Sequence, residues 1–536
     1  MDNKDHSKVE SVVLTPRQTT FIILGLLLGI LLEAIDSTFI NNVLPVIVGK
    51  LGGTLQMQSW VISSYLLTMT MTTPIYGRLS DLYGRMPFYL GGMILFMLGS
   101  LLSGASQTMG QLIAFRALQG LGAGAMMPIA VAIGQTLFPA EKRGKFQAAI
   151  SGAFALAAVF GPLLGGFIVK QLTWRWLFYL NLPFGILALV ILYMFLPENV
   201  RSNKSYDPSK KIDYVGAVLL ATFTASLMLF FTLGSDTGHG FLSFRSFVCA
   251  MIAAFSLLMF VLVERRAVDP IIPFSLFKNT TFLLSVSAVF LLGGIMFSAT
   301  MYLPQYFQFV MVSSASTSGA FITPMMIFMV LGSLFSARSL GRTIYRYKWL
   351  ATVASSLIFI SLLMCIFLRS NTPLTFVFVA TCLFGLGMGL TFPLYGFVVS
   401  NTIDKRMIGS AFGLLAFFRH IGGTIFTAIF GALYGNRLSG ELKTELSTFL
   451  PRSAMDHFSI KQLVGKEAFN YITNTLVQLN LSRELTVKIL SSLRMAVAKS
   501  IPVIFAATAL VAFIQLIVNV CLEDKKIVFK TQKNSN

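Results

Sequence analysis

The sequence predicts an all-α protein that crosses a membrane many times, and three observations carry that reading. Of its 536 residues 55% are hydrophobic and only 12% charged, where soluble domains carry about 25% charged residues. The mean hydropathy is +0.76, and apolar runs of spanning length, about 17 to 25 residues, recur along the chain. The pattern GLGxGxxxP occurs twice, as GLGAGAMMP at 120–128 and GLGMGLTFP at 385–393, 265 residues apart.

Fourteen apolar runs are expected to span. The first six lie near 21–44, 57–77, 87–106, 111–137, 147–170 and 176–196. Two follow at 213–234 and 242–263, and six more at 281–310, 316–337, 349–368, 373–399, 410–435 and 500–522. The repeat extends beyond the glycine motif. EKRG (141–144) is echoed by DKRM (404–407), and GRLSDLYGR (77–85) has a worn copy in ARSLGRTIY (337–345). Two six-helix halves therefore flank an inserted pair, a 6+2+6 plan. The expected divisions are a tail at 1–17, a first half at 18–200, the inserted pair at 201–268, and a second half at 269–435 with 500–522. A loop at 436–499 separates the last two spans, and a tail at 523–536 ends the chain. Parallel repeats of this kind are a transporter architecture with the substrate near the midplane; a duplicated structural bundle is the alternative.

The net charge of +20 does not form a basic face. Lys and Arg punctuate the spans instead, in RSNKSYDPSKK (201–211), ERR (264–266), RSLGRTIYRYK (338–348) and EDKK (523–526). The opposite short loops hold little beyond Lys50, Lys170, Arg175, Arg245 and Arg369. The positive-inside rule then places both termini in the cytoplasm, and a nucleic-acid partner is not expected. Cys249, Cys365, Cys382 and Cys521 fall in apolar runs without metal-ligand spacing, so they are read as small buried hydrophobes and no metal is expected. The polar start MDNKDHSKVE and the length of the first run argue against a cleaved signal peptide. GxxxxGK[ST] is absent from the sequence, which speaks against an intrinsic nucleotide hydrolase.

Candidate chemistry starts with LLEAIDSTF (31–39), where Glu33 and Asp36 interrupt the first run. An acid at a bilayer centre costs about 2.5–3.5 kcal/mol, so it is a functional candidate by default. Three residues apart, the two share a helix face. Burial and mutual repulsion make at least one able to load and release a proton near neutral pH. In FRALQGLGAGAMMP (115–128), Arg116 is an intramembrane cation that needs a partner. The glycines after it suit close helix packing. A purely structural pairing of the acids with Arg116 is the alternative.

GRLSDLYGR resembles the Gly-x-x-x-Asp-x-x-Gly-Arg loop signature of the major facilitator superfamily, on Gly77, Asp81, Gly84 and Arg85. It makes physical sense as a latch: Gly77 allows two helix ends to approach, and Asp81 can accept from a helix N-terminus or an Arg. The worn copy lacks the acid. GAFALAAVFGPLLGG (152–166), with Gly161, Pro162, Gly165 and Gly166, resembles the fifth-span signature of the superfamily's antiporters. IDSTFINNVLP (35–45), WRWLFYLNLPFG (174–185), IDYVGAVLL (212–220) and FFRHIGGTIF (417–426) resemble motifs of its fourteen-spanner drug:proton antiporters, although His420 stands where a small polar residue is expected.

That resemblance covers residues 35 to about 435. It implies the major facilitator fold, Asp36 as the functional acid with Glu33 an extra one, and Arg116 biasing proton release. The expected activity is proton-driven export of hydrophobic, cationic drugs through the plasma membrane. The chain is expected to act as a monomer, with the proton gradient and no cofactor as its energy source. Tyr302, Gln305 and Arg419 are expected to bind substrate. Export of one physiological lipid or metabolite is the alternative on the same fold; a scaffold or ATP-driven permease subunit is the alternative of another class. In the 436–499 loop, LTVKILSSLRMAV (485–497) places Leu485, Ile489, Leu493 and Val497 at helical spacing, which predicts an amphipathic helix. The loop is read as a surface tether, with a flap over the outer mouth as the alternative.

Overall fold

The computed structural model describes residues 15–53, 55–138, 140–196, 212–234, 241–311, 315–340, 347–369, 372–446 and 483–523. The expected tail at 1–14, the basic segment 201–211, the latch copy at 341–345, the middle of the last loop at 447–482 and the end of EDKK lie outside these residues. No strand occurs among the described residues. The first half comprises α1 (Pro16–Leu51), α2 (Leu55–Tyr83), α3 (Arg85–Ala105), α4 (Met109–Leu137), α5 (Ala140–Gln171) and α6 (Trp176–Phe195). The inserted pair is α7 (Tyr214–Gly234) and α8 (Phe244–Glu264). The second half comprises α9 (Thr280–Gln305), α10 (Ala315–Leu340), α11 (Tyr347–Ile366), α12 (Leu374–Thr402), α13 (Ile408–Leu446) and α14 (Arg483–Val520).

By their described residues twelve of these helices are long and apolar enough to cross a bilayer, and α2 is not among them. The reason in α2 is its hydroxyl ladder. Ser64, Thr68 and Thr72, four apart, donate across the interface to Ile113 O (3.1 Å), Ala117 O (2.8 Å) and Leu121 O (3.5 Å) of α4. In the apolar interior such donors need partners, and here a neighbouring helix supplies them.

The glycine motif explains why the two halves pack alike. A Cβ on Gly124 would stand 2.8 Å from Met69 O of α2, and Gly120 meets the α2 backbone at Tyr65, while Gly122 faces α3 at Gly92 and Phe96. Gly385 and Gly389 meet Met325 and Met329 of α10 in the same way, and Gly387 meets Ala354 and Ile358 of α11. Helix pairs α1–α5, α2–α4, α3–α4 and α1–α6 recur as α9–α13, α10–α12, α11–α12 and α9–α14. The halves meet through α2 against α13 and α5 against α10, contacts that exchange under the same duplication. Helix α4 is central, with 83% of its most apolar window buried, whereas 22% of that of α8 is buried. The inserted pair is therefore peripheral. It exposes Phe244, Phe247 and Phe255.

Three expectations are corrected. Only Cys365 and Cys382 are buried; Cys249 is half-buried on peripheral α8, and Cys521 is exposed just past the end of α14. Helix α13 runs on to Leu446 and α14 begins at Arg483, so 436–446 and 483–499 are helix rather than loop. The extensions are tied together by Lys499 Nζ with Glu445 (2.7 Å) and Glu441 (3.7 Å). The amphipathic stretch 485–497 is the first part of α14 and not a separate helix, with Val497 buried.

Candidate functional site

Along α1, residues Ile22, Leu26, Ile30, Glu33, Asp36, Ile40, Leu44 and Ile47 are all buried. Their spacing of three and four is that of one helix face, so both acids lie on the stripe that turns into the protein. Asp36 has no exposed surface and Arg116 is 1% exposed. Arg116 Nη1 donates to Asp36 Oδ2 at 2.5 Å and to Gln119 Oε1 at 2.7 Å. Gln119 Nε2 donates to Asp36 Oδ1 at 2.9 Å. Asn181 Nδ2, from α6, reaches the same oxygen at 3.1 Å and Ser100 Oγ at 2.9 Å. The guanidinium lies 4.2 Å from the centre of the Tyr65 ring on α2. Helices α4 and α6 thus converge on one carboxylate of α1, with α2 and α3 joined to it through Arg116 and Asn181. Each charge-assisted bond restrains a helix-helix distance, so protonating Asp36 weakens several contacts at once.

Glu33 is buried but stands apart from this network, and its Oε2 has no hydrogen-bond partner. The charge facing it is Arg419 of α13, in the other half. Arg419 Nη2 lies 3.0 Å from Met127 Sδ of α4, and its guanidinium is 5.7 Å from the Phe392 ring centre of α12. Neighbouring His420 buries an Nε2 without a hydrogen-bond partner.

Tyr302 and Gln305 are not brought together with Arg419. Arg419 packs beside Gly293 of α9, whereas the Tyr302 ring lies tilted against that of Tyr434, with centroids 5.4 Å apart. The offset of nine positions from Gly293 to Tyr302 amounts to about 13 Å of helix rise. Tyr302 is fully buried with no partner on its hydroxyl, and Gln305 is 4% exposed.

At one end of the molecule, Asp81 sits at the N-terminus of α13. Its Oδ1 accepts from Gly409 N at 2.8 Å, and its Oδ2 from Ser410 N at 2.6 Å and Ser410 Oγ at 2.8 Å. Helix N-termini favour such a carboxylate. Arg85 Nη2 lies 3.4 Å from Asp81 and donates to Lys405 O at 3.2 Å, while its Nη1 donates to Ala132 O at 3.0 Å and to Thr136 Oγ1. Gly84 has φ 97°, a left-handed value that suits glycine. A Cβ on Gly77 would be 2.6 Å from Gly409 O, so only glycine lets α2 approach α13 this closely.

On α5, Gly161 faces Thr38 and Gly165 faces Phe39 and Val43 of α1, and Thr38 Oγ1 donates to Ala157 O at 3.0 Å. Pro162 falls inside the helix. Gly166 faces open space.

The profile of the Major Facilitator Superfamily matches residues 26–427. The chain belongs to this superfamily. It is 37% identical over 429 residues to Multidrug resistance protein 3 of Bacillus subtilis (strain 168), covering 80% of this chain and 82% of the relative. It is 35% identical over 431 residues to the Multidrug transporter protein MdtP of the same organism, covering 80% and 77%. The crystal structure of the human organic anion transporter MFSD10 (TETRAN) shares its fold, with a TM-score of 0.59 at 15% identity over 94% of this chain and all of that one. As a member of the superfamily the chain is a multi-pass membrane transporter rather than an enzyme.

For this major facilitator, the sequence reading missed the partners that complete the Asp36 site. Gln119 lies in the quoted FRALQGLGAGAMMP, three residues from Arg116, and Asn181 lies in the quoted WRWLFYLNLPFG. An amide in an oily run was the available signal. Ser100 and Tyr65 carry none, since hydroxyls are common in such helices.

Proposed function

We propose that the protein is a proton-coupled antiporter that exports hydrophobic, cationic compounds, with fourteen crossings, both termini cytoplasmic and the plasma membrane as its site. The observation that carries this reading is the buried Asp36 carboxylate held by Arg116, Gln119 and Asn181. A proton arriving from outside neutralises Asp36 and frees Arg116, which loosens α1 from α4 and α6. Return of the guanidinium drives the proton off toward the cytoplasm. Each inward proton supplies about 2.3 kcal/mol per 100 mV of membrane potential.

Glu33, with its unpartnered oxygen, offers a second negative charge for which a substrate cation competes. Arg419 is the counter-charge on the other half, and Tyr302 with Gln305, buried further along α9, meet the substrate as the halves move. The bonds from Asp81 to α13 hold the two halves together at one end and serve as the latch. The names of the two Bacillus relatives support drugs as substrates.

Purified protein in proteoliposomes tests the reading, using a pH gradient alone and a panel of hydrophobic cations with neutral analogues. Cation movement that follows the gradient without ATP is expected. Transport that needs ATP, or that ignores the gradient, would falsify it.

A further inference from the structure

The inserted pair has no part in the cycle described above, yet its base carries an unusual arrangement. Asp213 stands immediately before α7 and Glu264 ends α8, so the two acids share one end of a helical hairpin. Asp213 Oδ1 accepts from Gly216 N at 2.7 Å, which caps α7. Glu264 is 1% exposed, and its Oε1 accepts from Ile272 N at 2.5 Å. The remaining oxygens, Asp213 Oδ2 and Glu264 Oε2, are buried and accept no hydrogen bond. They face each other across the missing side chain of Gly216, where a Cβ would stand 2.6 Å from Glu264 Oε2 and closer still to Asp213 Oδ2. Two ionised carboxylates do not share a dry pocket without a cation between them, and one proton satisfies both orphan oxygens as an O–H···O⁻ bond.

The pair is linked to the latch. Asp269, five residues beyond Glu264, meets Arg78 Nη2 at 3.5 Å, and Arg78 lies between Gly77 and Asp81 on α2. Helix α7 packs against both α2 and α13, the two helices that Asp81 joins. Around the linking Arg78 stand Glu264 itself, Asp81 of α2 and Asp269 of the connecting segment. Arg265 and Arg266 next to Glu264, and Lys405 and Arg406 ahead of α13, are exposed.

We infer that Asp213 and Glu264 form a second proton-binding site, separate from Asp36, and that its bound proton braces the latch through Asp269 and Arg78. Loss of the proton sets two negative charges against each other at the base of the hairpin. The start of α7 then parts from the 264–272 segment, Asp269 leaves Arg78, and α2 separates more readily from α13. The inference rests on Asp81 acting as a latch.

The test uses full-length protein in nanodiscs, in an Asp36→Asn, Glu33→Gln background so that the protons of both α1 acids are absent. Spin labels at positions 145 and 406, with the native cysteines replaced, report the separation of the halves as pH is raised. Infrared spectra report protonated carboxyl groups in the same samples. The expected result is a protonated-carboxyl band that disappears together with the latched distance at alkaline pH. Glu264→Gln and, separately, Asp213→Asn supply an N–H in place of the proton, so each should abolish that band and keep the latched distance at every pH. Asp81→Asn should lengthen the distance at every pH, which tests the latch on its own. A lengthened Asp81→Asn distance with a wild-type pH response in both amide variants overturns the brace and leaves the latch standing. An unchanged Asp81→Asn distance overturns both.

Discussion

In the first half, Gly120 and Gly124 of α4 lie against Tyr65 and Met69 of α2; in the second, Gly385 and Gly389 of α12 lie against Met325 and Met329 of α10. The glycines match across the 265-residue offset, and the residues they pack against across one of 260. The 265-residue offset carries Arg116 onto Thr381 and Gln119 onto Phe384. Thr381 bonds only within its own helix, to Val377 O and Phe378 O at 3.0 Å, and Phe384 is buried among apolar neighbours. Small residues set how closely helices approach, and that requirement is equal in both halves. Charge placement is not so constrained by packing, and here one half holds the Asp36 network and Asp81 while the other supplies the helix N-terminus that Asp81 grips.

The sharpest way to break this comparison is at Asp36. Asp36→Asn keeps the size and one acceptor oxygen, for either Arg116 or the Gln119 and Asn181 amides, so the protein should still insert, but substrate-induced proton release and gradient-driven transport should be lost entirely. Proton release that persists in the purified variant removes Asp36 from the coupling role. Stability separates the halves next. Arg116→Leu leaves a buried carboxylate unpaired and should cost about 3–5 kcal/mol, whereas Thr381→Val at the equivalent position removes a helix-internal bond worth about 0.5–1.5 kcal/mol. Thermal melts in detergent measure both, and equal losses would contradict the asymmetry.

The shared skeleton predicts the opposite pattern for glycines. Gly120→Leu and Gly385→Leu should each overpack a helix pair, by about 1–3 kcal/mol, and to a similar extent in the two halves. A large effect in only one would show that the repeat is not equivalent in packing. At the latch, Asp81→Asn should leave equilibrium binding of a fluorescent cation intact and slow transport, because it acts on the balance between conformations rather than on the site. The smallest effect is expected from replacing residues 447–480 with a Gly/Ser linker, which spares Glu441 and Glu445 and their contacts with Lys499. Transport should continue with at most an altered rate; abolition in a folded, inserted protein favours the flap over the tether.

Much of the architecture was legible before any coordinates, because spanning length, helix periodicity and a repeated glycine pattern are written in short stretches of chain. The same holds for the acids and for Asp81, whose residue type in an apolar or glycine-bounded setting marks them locally. What the sequence could not specify is which buried group meets which. Asp36 and Arg116 are 80 residues apart, Asp36 and Asn181 are 145 apart, and Asp81 reaches Gly409 across 328. Such pairings depend on how helices are rotated and stacked. The two acids of α1 share a face, yet one is fully paired and the other faces Arg419 across the halves. Tyr302 and Gln305, expected with Arg419 to bind substrate, stand further along α9 from the point where Arg419 packs. The facing of Glu264 and Asp213 was equally hidden, since a hairpin's ends meet only after both helices have docked. Tertiary packing decided these contacts because in a low-dielectric interior each polar group takes whichever partner the neighbouring helix presents.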